Sequence, residues 1–94
     1  MSDPAIKRRL ARAKIRAGEM LQGMGYGVIQ SDNSTFCILG VRNREIRMVR
    51  VVIDEVTDVD KRRVREFPQK PDNCSCEIWC KRLSRIGFEM TEIN

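Results

Sequence analysis

A chain of 94 residues holds one domain with one modest core. Hydrophobic residues make up 41% and charged residues 33%, which supports a soluble globule, and no run of about 18 apolar residues occurs, so no membrane span is expected. Histidine is absent, which removes the commonest general base and metal ligand together, and Ser-His and Cys-His catalysis with them.

The first expected element is a helix over about residues 4–23, with Asp3 as cap and Pro4 in the first helical position. Ile6, Leu10, Ala13, Ala17, Met20, Leu21 and Met24 recur at the helical period on one face, and Arg8, Arg12 and Arg16 fall opposite. One of Gly23, Gly25 and Gly27 is the expected C-terminal cap. Strands follow over Tyr26–Gln30, Thr35–Val41 and Ile46–Ile53, separated by a polar turn at Gln30–Ser34 and another around Arg42-Asn43-Arg44.

A second helix is expected from Thr57, where Thr57 and Asp60 match a capping box, with Val59, Val64 and Phe67 facing the core and Pro68 and Pro71 ending it. Strands over Cys74–Lys81 and Gly87–Ile93 close the chain. The whole chain, residues 1–94, is therefore expected to be one α+β domain in the order αβββαββ, a central mixed sheet flanked by two helices. The strand-helix-strand crossover should run right-handed and set its strands parallel.

The net charge of +5 is unevenly placed. Lys7, Arg8, Arg9, Arg12, Lys14 and Arg16 make the start basic, residues 31–60 are net acidic, and Lys61, Arg62, Arg63, Arg65, Lys70, Lys81, Arg82 and Arg85 make the end basic again. Separated basic segments suit a polyanion, or form a plain solvated surface. The run Lys61–Arg65 reads most simply as the solvated face of the second helix. Aromatic residues are few, which argues against a single-strand stacking platform. Trp79 suits a base or a helix above it equally.

Cys74, Cys76, Cys80 and Cys37 are the only thiols that could hold zinc. Cys-x-Cys on a strand puts both side chains on one face with Cα atoms about 6.5 Å apart, whereas structural zinc sites place their paired cysteines on turns. Core cysteines are the expectation, with no metal and no cofactor. The acceptor patterns at Asn33 and Asn73 carry no weight without secretion, and no secretory signal is read at the start. A cytoplasmic location is the expectation.

Several phrases resemble the restriction-endonuclease-like, PD-(D/E)xK superfamily, particularly small Holliday-junction-resolvase-type members. Gly25-Tyr26-Gly27-Val28-Ile29-Gln30-Ser31 is similar to the family's glycine-aromatic pair, strand and serine. Thr35-Phe36-Cys37-Ile38-Leu39-Gly40 takes the place of its aspartate strand, and Arg47-Met48-Val49-Arg50-Val51-Val52 that of its Glu-x-Lys strand. Glu77-Ile78-Trp79 and Gly87-Phe88-Glu89 resemble its closing strands.

The resemblance implies carboxylates gathered on Mg²⁺ beside a lysine. The matching positions are Lys14, Cys37, Arg50 and Val52: a thiol, an aliphatic chain and two cations. Two cations repel a metal ion at short range, and a thiol is a soft ligand for a hard one. No catalytic residue is expected.

Binding of DNA or RNA without cleavage is the leading expectation, through Arg8, Arg12, Lys14, Arg16, Arg50, Arg62 and Arg63. Against it, Arg50 pairs with Asp54, Glu55 or another carboxylate. A protein partner or a second copy of the chain is the alternative role. A third is metal-dependent cleavage through Glu19, Glu45 or Asp54.

Overall fold

Burial along the strands explains the architecture. In the computed structural model, which describes residues 4–31, 35–68 and 72–93, the elements run α1 (Pro4–Gly23), β1 (Gly27–Gln30), β2 (Ile38–Arg42), β3 (Glu45–Ile53), α2 (Asp58–Arg65), β4 (Cys74–Lys81) and β5 (Glu89–Glu92). The cap expected of Asp3, the turn at Asn33-Ser34, the charge of Lys70 and the stop at Pro71 lie outside the described residues. The strands form one mixed sheet in sequential order, β1 to β5. β3 and β4 pair in parallel across α2, and every other neighbouring pair is antiparallel.

Buried on both sides, β3 and β4 divide their side chains between two cores. Val49, Val51 and Trp79 pack with Ala13, Ala17 and Leu21 of α1, joined by Tyr26 and Ile38. Met48, Val52, Cys76, Ile78 and Cys80 pack with Val64 of α2 and with Phe36. Trp79 and Val64 are wholly buried. Removing a large apolar side chain from water contributes about 1.5–3 kcal/mol, so this short chain is held together mainly by the two strips flanking its central strands. Its radius of gyration, 12.8 Å, matches the ~13 Å of a compact chain near 100 residues.

Local chemistry sets the helix ends. Beyond Gly23, the Gly25 N–H bonds the Gln22 carbonyl and the Tyr26 N–H bonds the Leu21 carbonyl, with Gly25 at φ +91°. This double closure needs a residue that tolerates the left-handed region, so Gly25 is the cap among the three glycines. Leu21 and Tyr26 then meet in the core. α1 comes so close to β2 that a Cβ at Gly40 would stand 3.2 Å from Leu21 Cδ2.

At the start of α2 the expected capping box is present: the Thr57 hydroxyl accepts from the Asp60 N–H at 3.2 Å, and Asp60 Oδ2 accepts from the Thr57 N–H at 2.9 Å. Three inward assignments fail. Ile6 is 46% and Val59 55% exposed, because the first turn of each helix extends past the core it covers, and Met24, 38% exposed, lies past the end of α1.

Candidate nucleic-acid interface

Three arginines of α1 recur at i, i+3 and i+7, so Arg9, Arg12 and Arg16 form one stripe along a flank of the helix. That flank faces the end of β4. Arg9, Arg12, Arg16, Lys81 and Arg82 rim a cleft of about 210 Å³ whose apolar floor includes Ala13, Met20, Ile53 and Phe88. Phe88 leans on the buried Trp79 ring, centroids 5.6 Å apart. The cleft thus joins the basic start of the chain to its basic end.

The charges of this rim are unequally balanced. Arg9 grips the Asp54 carboxylate with both terminal nitrogens, at 2.5 and 3.2 Å, and its hydrogen bond holds the Asp54 carboxyl below the usual range. Asp54 sits at φ +69° where the chain leaves β3, and its N–H donates to the Lys81 carbonyl at 2.9 Å. Arg82 Nε meets Glu89 at 2.9 Å, and Arg82 Nη1 donates to the Asp54 carbonyl at 2.7 Å. Lys81 Nζ donates to the carbonyls of Arg82, at 2.9 Å, and Arg85, which orients the ammonium without neutralising it.

Arg12 and Arg16 are exposed and pair with no acid among the described residues. From Arg9 to Arg16 the helix advances about 10 Å, the axial rise of about three nucleotides in one strand of B-DNA. A cationic rim of this span, with Arg12, Arg16 and Lys81 uncompensated and Arg9 and Arg82 paired to Asp54 and Glu89, can hold an anionic polymer over its apolar floor.

The other expected contacts do not join the cleft. Arg62 and Arg63 are exposed on α2, which covers the opposite face of the sheet, and Arg8 and Lys14 do not line the cleft. Arg50 leaves β3 toward α2, where its Nε meets Asp60 Oδ1 at 2.9 Å and its Nη1 donates to the Thr35 carbonyl at 3.0 Å. The pairing partner is therefore Asp60. Val52 is buried on the same face, whereas Cys37 packs on the α1 side and accepts from the Val51 N–H at 3.3 Å through its sulfur. The positions matching the family's catalytic set are thus divided between the two faces. Arg9, Lys81 and Arg82 were absent from the contacts expected from sequence. The 9-12-16 spacing signals Arg9, but only the fold brings the end of β4 beside it.

The carboxylates of the third role do not converge. Glu45 begins β3 and accepts from the Tyr26 hydroxyl at 3.0 Å; Asp54 follows the other end of the strand, about 30 Å away; Glu19 is exposed on α1. Among the described residues no three Cys, Asp or Glu side chains cluster in a way that could hold a metal ion. Cys74, Cys76 and Cys80 line the α2-side core as expected of cysteines alternating along a strand, with Cys37 across the sheet. Burial, aided by neighbouring Cys76, pushes the Cys74 thiol up to about 11.

A second polar centre lies on the α1 face of the sheet, beside Tyr26. Glu77, 6% exposed, takes two hydrogen bonds from Arg47, at 2.8 and 2.6 Å, one from the Ser75 hydroxyl at 2.8 Å and one from Trp79 Nε1–H at 3.1 Å. The Arg47 guanidinium lies 5.4 Å from the Tyr26 ring centroid and 5.4 Å from that of Trp79. The Glu77 carboxylate is thus matched from within the fold, and the centre reads as structural.

No helix among the described residues is long and apolar enough to cross a membrane. No family model matches the chain, and a comparison with curated proteins found no match.

Proposed function

We propose that the chain is a nucleic-acid-binding module on a catalytically degenerate restriction-endonuclease-like fold, and that it grips the polymer through the cleft between α1 and the end of β4. The observation that carries this reading is the convergence of Arg9, Arg12 and Arg16 with Lys81 and Arg82 on one apolar-floored cleft. The mixed sheet with its parallel β3-α2-β4 crossover supports the fold assignment, as do the phrases Gly25–Ser31 and Glu77–Trp79 at β1 and β4. Of the residues at the matched positions, Lys14, Cys37, Arg50 and Val52, none is a carboxylate, and they do not share one face of the sheet, which supports binding without cleavage.

Fluorescence anisotropy of a labelled duplex and a labelled single-stranded RNA, titrated across salt, tests the proposal. Affinity should fall steeply as salt rises, since each neutralised phosphate contributes about 0.9 to the logarithmic slope on B-DNA. The double variant Arg12→Ala/Arg16→Ala should weaken binding and reduce that slope by about two. Arg62→Ala/Arg63→Ala should leave both unchanged. Failure of the unmodified chain to bind either polymer at low salt removes the proposal.

A protein-interaction role has one observation in its favour. On the α2 side of the sheet, Ile29 of β1 is 54% and Val41 of β2 37% exposed beside half-buried Leu39, since α2 packs mainly on β4. Sedimentation that shows a dimer, dispersed by Ile29→Lys, would favour it.

A further inference from the structure

The connection from β4 to β5, residues 82–88, borders the cleft and carries something phosphate binding alone leaves unused. Leu83 is 78% and Ile86 97% exposed. One aliphatic side chain in water is ordinary. Both belong to one loop that is tied down from several sides. Lys81 Nζ holds the carbonyls of Arg82 and Arg85. Glu89 takes Arg82 Nε at 2.9 Å and Arg85 Nη1 at 3.0 Å, and Arg82 reaches back to the Asp54 carbonyl. Gly87, at φ +85°, then turns the chain into β5. The result is a braced loop that exposes Leu83 on the lip of the cleft, next to Arg82, and Ile86 farther along, next to Arg85.

We propose that this loop is a wedge, which presses Leu83 and Ile86 between the bases of a duplex whose backbone lies on Arg12, Arg16 and Lys81. The inference rests on the nucleic-acid reading and names its preferred target: a duplex with an easily opened base step, such as one next to a bulge. Aliphatic side chains inserted at a base step unstack it and kink the helix, and the energy needed is least where stacking is already broken. The neighbouring cations suit the phosphates that a kink crowds together. A ridge of phosphates also fits a concave rim better than a flat layer of lipid headgroups does. Tyr26 and Trp79, the residue types that anchor elements at a membrane surface, are both buried.

The test compares a short duplex carrying a central bulge with its fully paired counterpart, with 2-aminopurine beside the bulge as a second readout. The unmodified chain should bind the bulged duplex about tenfold tighter and raise the 2-aminopurine emission. Ile86→Ser, at an exposed position that does not line the cleft, should keep its thermal melt and its affinity for the paired duplex. It should lose the preference and the emission change. Equal binding of the two duplexes by the unmodified chain, or a preference that survives in the variant, overturns the wedge while leaving nucleic-acid binding intact. Binding to neither duplex overturns the underlying reading as well. So does attachment to vesicles of phosphatidylserine and phosphatidylcholine that depends on Leu83 and Ile86 while no duplex binds.

Discussion

Glu77 shows how much a single side chain can carry in a domain of this size. Burial alone would raise its carboxyl, but hydrogen bonds from Arg47, Trp79 and Ser75 outweigh that and hold it below the usual range. Removing the charge leaves the Arg47 guanidinium half-covered and without its anion. Glu77→Gln is therefore expected to destabilise the fold by about 3 kcal/mol in urea unfolding, and Arg47→Met/Glu77→Met by less, because the double change strands no charge. The pH dependence follows from the direction of the shift. A carboxyl lowered in the native state stabilises fully above its unfolded value, about pH 4.3, and that contribution is lost as pH falls through the lower native value. Acid unfolding of Glu77→Gln should accordingly show a shallower limb over that window. Sequence alone could not place this pair, since Arg47 and Glu77 are thirty positions apart and meet only because β3 and β4 lie parallel. Nor could alternation along β4 say which face Trp79 took; α1 settles it, burying the ring completely.

Among the elements, α2 depends most on a few polar atoms, because it is short and only Val64 of its apolar residues is fully buried. Asp60 closes the capping box with Thr57 and also receives Arg50 from β3, so one carboxylate both starts the helix and ties it to the sheet. Thr57→Ala removes one cap and should lower stability by about 1 kcal/mol. Asp60→Ala should lower it by about 2 kcal/mol, since it also removes the ion pair that ties the helix to Arg50. Thermal melts followed by circular dichroism separate the two. The box itself was legible, because Thr-x-x-Asp is a local pattern with a local mechanism. β4 was legible too, its bounds Cys74–Lys81 matching the alternating run. β2 was less so, since it begins three residues after the expected start at Thr35: Cys37 and Ile38 both turn to the α1-side core, which breaks the alternation of a strand, and regular pairing starts at Ile38. Val59 misled for a related reason, because a residue in the first turn of so short a helix points past the core.

At the scale of the whole molecule, the fold decides which of many cations act together. The order of elements and the crossover followed from apolar periods and turn residues along the chain. The cleft did not, because it needs the long connection after β4 to fold back beside α1, and no local pattern encodes that. Arg12 and Arg16 read in sequence as a stripe opposite the core, whereas they border a cleft that Lys81 and Arg82 complete. The same architecture keeps Glu45 and Asp54 at opposite ends of β3. Supercoiled plasmid incubated with the protein and Mg²⁺ or Mn²⁺ is therefore expected to stay uncut on gel electrophoresis. Cleavage abolished by Glu45→Ala or Asp54→Ala would overturn that expectation.

The lone tryptophan gives this molecule a built-in optical probe. Sealed from water and bonded through its indole nitrogen to Glu77, Trp79 should emit at short wavelength in the native protein and shift red when the sheet opens. Its other neighbour, Phe88, forms part of the cleft floor, so a molecule settling there lies one ring away from the fluorophore. Emission intensity can then follow occupancy without any dye attached to the chain.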